Sequence, residues 1–148
     1  MLHVTLITCG KLKEKYLQDA VKEYKKRLGG YITLTEKELD DGPDMEAESV
    51  RIEKAIPEGA YVITLEIEGK ELTSVQFAEA IEKLMNDGES RICFIIGGSE
   101  GIAENIKAIA KEHLSFSKMT FPHQLMRVIF MEQLYRAFKI IKGEPYHK

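Results

Sequence analysis

Short apolar, β-branched runs alternate with amphipathic helical runs along the whole chain, and that alternation restricts the fold more than any other feature. Leu2–Cys9, Ala60–Glu66 and Arg91–Ile96 are apolar at most positions, as strands buried on both faces are. Tyr31–Leu39 alternates enough for a further strand, and His113–Ser117 is short enough to be a fifth. Between them, Glu14–Leu28 places Tyr16, Leu17, Ala20, Val21, Tyr24 and Leu28 at helical spacing and stops at Gly29-Gly30. Met45–Ile56 reads as a weak acidic helix that ends before Pro57. Thr73, with Gln76 three residues on, opens a helix over Ser74–Asn86 through a capping box. Ala103–Glu112 is a fourth helix, and Pro122 suits the first turn of a last one running to about Lys142. Gly69 and Lys70 fall in a loop. The order βαβαβαβαβα predicts an α/β fold, a mostly parallel sheet with helices on both faces. With 148 residues, no internal repeat and no low-complexity linker, residues 1–148 read as one domain.

Composition removes several classes. No apolar run approaches the ~20 residues of a membrane span, and the N-terminal run has its lysine after it, unlike a secretory leader. Cys9 and Cys93 both sit in strand-like runs, against a disulfide scaffold or a cysteine-rich zinc site, and a reducing cytoplasmic compartment fits them. The net charge of -3 argues against a protein that coats nucleic acid. The charge is uneven all the same. Lys11–Leu28 holds seven basic and three acidic residues, Glu36–Glu58 nine acidic and three basic, and His113–Lys148 six basic and two acidic. Such runs are usually solvated helix faces; the sharper reading is a basic surface that meets phosphate.

Three stretches have the makings of a site. Gly97-Gly98-Ser99-Glu100-Gly101 follows a strand and precedes a helix, which lets backbone approach a ligand or simply makes a tight turn. It is neither G-x-G-x-x-G nor a P-loop, so a dinucleotide or nucleoside triphosphate is poorly supported. Leu114–His123 is apolar and hydroxyl-rich without a regular period; it folds back into the protein or holds a ligand. The last helix has almost no polar face in its first half, from Leu125 to Met131, which calls for burial on more than one side and hence a second subunit. Arg127 then needs a partner, and Glu132 and Arg136 can pair along the helix. His3 and His113 read as structural, whereas His123 and His147 are better placed to serve a site. No histidine pair has metal-ligand spacing, so no metal is expected.

Gly10-Lys11-Leu12-Lys13-Glu14-Lys15-Tyr16, Ile63-Thr64-Leu65-Glu66, Ile96–Gly101 and the block from Leu114 through Lys148 together resemble the RlmH (YbeA) family of SPOUT-class methyltransferases, over essentially the whole chain. The segment from Asp40 to Ala55 looks shorter than in common members. The resemblance implies a sheet whose C-terminal part is threaded as a trefoil knot, S-adenosylmethionine (SAM) as cofactor, and a homodimer with the last helix at its interface. It implies N3-methylation of a pseudouridine in the helix 69 loop of 23S ribosomal RNA on assembled ribosomes. Carried onto this chain, it makes Leu65, Gly97, Gly98, Phe116, Ser117, Lys118, Met119, Thr120 and Phe121 the cofactor contacts. The general base would be His123 or His147. Arg127, Arg136, Lys139, Tyr146 and Lys148 would meet RNA or the dimer partner. Two other functions fit the same residues: a SPOUT enzyme acting on tRNA, and a non-catalytic ribosome-binding factor.

Overall fold

A computed structural model describes residues 1–148. Five strands form one sheet: β1 (Leu2–Cys9), β2 (Ile32–Leu39), β3 (Tyr61–Glu71), β4 (Arg91–Ile96) and β5 (Glu112–Ser115). Every pairing is parallel, in the order β2-β1-β4-β3-β5. The helices are α1 (Lys15–Leu28), α2 (Met45–Ala55), α3 (Ser74–Asn86), α4 (Glu104–Ile109) and α5 (His123–Ile141). The expected α/β architecture is therefore present, with the sheet entirely parallel.

The pleat of β1 explains how both faces are covered. Leu2, Val4 and Leu6 point into a core shared with Leu17, Val21, Phe77, Ile81 and Phe130 of α1, α3 and α5. Ile7 and Cys9 point the other way, into a smaller core with Ile52 and Ile106 of α2 and α4. Successive side chains of a strand alternate in direction, so one apolar run serves two cores. The crossovers through α1 and α3 move towards the β2 edge on one face, and those through α2 and α4 move towards the β5 edge on the other. One hand throughout is what parallel connections require.

Local chemistry sets several boundaries. The Thr73 hydroxyl accepts the Gln76 N–H at 3.0 Å and the Gln76 side chain accepts the Thr73 N–H at 2.9 Å, so α3 starts where the capping box places it. Pro122 stands just before α5 as its N-cap rather than inside its first turn. The fourth helix is shorter than expected: Ala110 is extended and the Lys111 N–H bonds the Val62 carbonyl at 2.8 Å, so sheet pairing takes over. Strand β3 runs past the expected loop at Gly69-Lys70. It pairs Leu65 with Leu114, leaves the sheet for Glu66–Gly69, and rejoins with Lys70 against the same Leu114. Gly69 makes the return possible, since a Cβ there would stand 2.6 Å from the Leu114 carbonyl carbon.

Candidate active site

In an open parallel sheet, ligands bind beyond the carboxyl ends of the strands. Here those ends carry the β3 excursion, the glycine turn after β4 and the segment between β5 and α5. The three enclose a cleft of about 830 Å3, within the range of small-molecule sites. Of the expected cofactor contacts, Leu65, Gly97, Gly98, Phe116, Ser117, Met119, Thr120 and Phe121 line it, and His123 stands at its edge.

Each wall has a physical cause. After β4 the chain reverses: the Gly101 N–H donates to the Gly98 carbonyl at 3.0 Å. A Cβ on Gly97 would lie 2.6 Å from the Gly101 oxygen, and one on Gly98 would lie 2.9 Å from the buried Glu48 carboxylate. The two glycines are thus required by packing inside the chain, and the turn they permit presents its backbone to the cleft. Phe116 anchors the β5–α5 segment. Its ring stacks on Phe130 at 6.1 Å and meets Phe77 edge-on at 5.5 Å. Beyond it, Ser115 Oγ donates to the Ser117 carbonyl at 3.0 Å, and the Met119 N–H donates to Ser117 Oγ at 2.9 Å. The N–H and C=O groups of Lys118, Thr120 and Phe121 make no hydrogen bond within the chain. The cleft therefore offers apolar walls and free backbone donors and acceptors. That set suits a purine and its attached chain better than a phosphate.

One network at the cleft was not anticipated. Glu66, at the start of the β3 excursion, accepts from Thr64 Oγ1 at 2.5 Å and from His113 Nδ1 at 2.7 Å, and its other oxygen lies 3.2 Å from Lys107 Nζ. Burial works to raise the Glu66 pKa, but the Thr64, His113 and Lys107 donors outweigh it and hold the carboxyl below its usual value of 4.5. His113 lies 47 residues away in sequence, and no local spacing announces it; Thr64, two residues back, is the local partner. The expectation that His113 is structural agrees with this bond.

The residues assigned to RNA or to the dimer partner fare differently. Arg127 is buried, donating from Nη1 to Glu38 at 2.6 Å and from Nη2 to the Gly10 carbonyl at 3.0 Å, so it fastens α5 to the ends of β1 and β2 and is out of reach of RNA. Its Nε is buried without a partner. Arg136 pairs with Glu132 at 2.8 Å as the spacing suggested, donates to His147 at 3.0 Å and lies over the Tyr146 ring. Lys139 sits over the Tyr31 and Tyr135 rings with Glu144 3.4 Å away. Tyr146 donates to Glu132 at 3.0 Å and packs on Tyr135; burial, then this bond, pushes its hydroxyl up to about 12. Lys148 is exposed. Lys118, unlike its neighbours, points out of the cleft towards Glu71. His123 and His147 do not converge: Arg136, which holds His147, is about 20 Å along the helix from His123.

No group of three or more His, Cys, Asp or Glu side chains is placed to hold a metal ion, and no helix is long and apolar enough to cross a membrane.

A cleft at the carboxyl ends of a parallel sheet, built by a glycine turn and a long unpaired segment before the last helix, is of a size to take a small molecule. The chain belongs to the SPOUT methyltransferase family: the family model described as "Predicted SPOUT methyltransferase" matches residues 2–147. Two similar relatives, from Clostridium beijerinckii and Bacillus pumilus, are each named ribosomal RNA large subunit methyltransferase H. Each is 48% identical over 159 residues, covering 99% of this chain and all of the relative. The alignments are longer than this chain, which fits a shortened segment. The structure of a probable methylase family protein from Haemophilus influenzae Rd KW20 superposes with a TM-score of 0.57 over 99% of this chain and 70% of the other. At 12% identity it shows a shared fold.

Proposed function

We propose that the protein methylates N3 of the helix 69 loop pseudouridine in 23S ribosomal RNA on assembled ribosomes, with SAM as donor. The observation that carries this reading is the full-length likeness to relatives named for ribosomal RNA methylation, joined to a cleft at the expected cofactor residues. SAM, when bound, supplies a methyl group already activated on a sulfonium. The residues fit it. Leu65 and Phe116 give apolar contact, the turn at Gly97 and Gly98 gives close backbone approach, and the free backbone groups of Lys118, Thr120 and Phe121 can read a purine edge.

The chain's own task is alignment and proton removal. The imide N3 must lose its proton to attack, and His123, at the cleft edge, is the better-placed base. Its Nε2 and the Asp41 carboxylate both lie within 3.6 Å of where a Gly10 Cβ would be. His147 and Tyr146 cannot reach the cleft of their own chain, so a role for the tail requires a second copy. That favours a homodimer, as do Leu125, 38% exposed, and the partly buried Val128 and Ile129 on α5. The reading includes one domain over residues 1–148, a trefoil knot formed where the β5–α5 segment is threaded, and a cytoplasmic setting. Calorimetry with SAM, run beside labelled-methyl transfer to ribosomes lacking the modification, tests it. Removing Tyr146–Lys148 is expected to leave SAM binding intact and abolish transfer. An intact chain that binds no SAM overturns the reading.

A further inference from the structure

The cations expected to meet RNA are mostly spent inside the chain. Arg127 is buried on Glu38, Arg136 is held by Glu132, and Lys139 lies on two tyrosine rings beside Glu144. Unspent cations lie on a turn beside the cleft. The turn from β1 into α1 reads Gly10-Lys11-Leu12-Lys13, and Leu12 is buried while both lysines are exposed. Neither lysine makes an ion pair or a hydrogen bond within the chain.

This turn is rigidly held. The Gly10 N–H donates to the Leu39 carbonyl at 2.8 Å, and the Gly10 carbonyl accepts from buried Arg127. The Leu12 N–H donates to Glu38 Oε2 at 3.1 Å, the same oxygen that binds Arg127, and the Leu12 carbonyl accepts from Gln18 at 2.6 Å. A buried cation thus fixes a loop that displays two free ones. The loop also borders the cleft, because a Cβ on Gly10 would lie 3.6 Å from His123 Nε2. Across the mouth, Lys118 is 85% exposed and meets only a half-exposed Glu71 at 3.6 Å, a surface pair that phosphate can displace. The lining itself is acidic, with Glu66, Glu68 and Glu100 against Lys107. A polyanion is therefore drawn to the lip and kept out of the interior, which leaves the interior to cofactor and base.

Building on the reading above, that the substrate is RNA, we propose that Lys11 and Lys13 on one lip and Lys118 on the other bind the RNA phosphates flanking the target nucleotide. The pinned turn lowers the ordering cost of each contact, since only the lysine stems must be fixed.

The test measures methyl transfer to ribosomes lacking the modification, between about 50 and 200 mM salt, for the intact chain and the variants Lys11→Ala/Lys13→Ala and Lys118→Ala. Each phosphate contact to unpaired RNA contributes about 0.7 to the log–log salt slope. The double variant is expected to flatten the slope of kcat/KM by about 1.4 and to raise KM on the order of tenfold at the lower salt. Lys118→Ala should flatten it by about 0.7. For Lys11→Ala/Lys13→Ala, affinity for SAM and kcat at saturating ribosomes should not move. Lys22→Ala/Lys26→Ala, on exposed and equally unpaired positions of α1, should leave the slope unchanged. Slopes that match those of the intact chain in both test variants, or an equal loss in the α1 control, overturn the lysine assignment while the methyltransferase reading stands. No transfer to RNA by the intact chain overturns that reading and this one with it.

Discussion

Replacing Arg127 by methionine tests how α5 is fixed to the strand ends. Methionine keeps most of the volume, so the loss is polar. The buried Gly10 carbonyl, which accepts from Nη2 at 3.0 Å, would be left without a partner. That costs about 1–3 kcal/mol. The pair with Glu38 is partly solvated, since the Glu38 side chain is 40% exposed, and it contributes about 1 kcal/mol. Against this, the substitution removes the buried, unpartnered Nε, a relief of about 1 kcal/mol. The net expectation is a loss of about 1–3 kcal/mol, a large part of the ~5–15 kcal/mol that holds a domain folded. Urea denaturation at one fixed protein concentration should show the midpoint fall by about 1 M with an unchanged slope. Glu38→Gln should cost less, about 1 kcal/mol, because its oxygen can still accept from Leu12. The double variant should reveal a coupling of about 1 kcal/mol. A loss within about 0.5 kcal/mol for Arg127→Met, or an equal loss for Glu38→Gln, would refute the clamp.

Four further outcomes are expected. Phe130→Ala, at a fully buried ring between Phe94 and Phe116, should destabilise by about 3–5 kcal/mol and weaken SAM binding by loosening the Phe116 segment; urea titration and calorimetry read both. Burial, with Glu48 beside Cys9, pushes the Cys9 thiol up to about 11, and burial pushes Cys93 to about 12. A thiol reagent near pH 8 should therefore label neither until denaturant is added. Because Glu66 is more acidic in the folded protein, its contribution is fully present above the ordinary carboxylate range and is lost as pH falls through its depressed folded value. Glu66→Gln should make stability fall less steeply with acid over that window, and a parallel decline would contradict the network. Finally, His123→Ala chains mixed with chains lacking Tyr146–Lys148 should recover about a quarter of intact turnover, since half the dimers are mixed and each then holds one complete site. No recovery above the separate variants would contradict a tail acting across the dimer.

What could be read from the sequence divides along physical lines. Elements set by local chemistry stood where their residues placed them: β1 by its apolar run, α3 by the Thr73–Gln76 box, and β4 by its β-branched stretch ending at the glycines. Features set by distant partners did not show. Glu38 and Glu48 lie in an acidic run that reads as solvated, yet one accepts from Arg127, 89 residues away, and the other stands against Gly98. The β3 extension depends on a glycine whose missing Cβ matters only once Leu114 lies beside it. The likeness to a family pointed to residues that, apart from Lys118, line one cleft. It could not show that Lys118 turns outward or that Gly97 and Gly98 are small for the chain's own packing.

The central claim is most directly tested by giving the protein labelled SAM with ribosomes that lack the modification, free 23S ribosomal RNA and tRNA in parallel, and identifying the labelled nucleoside by mass spectrometry. The account predicts label on the helix 69 pseudouridine, from ribosomes only. Label on tRNA, equal label on free ribosomal RNA, or none at all from protein that binds SAM would contradict it.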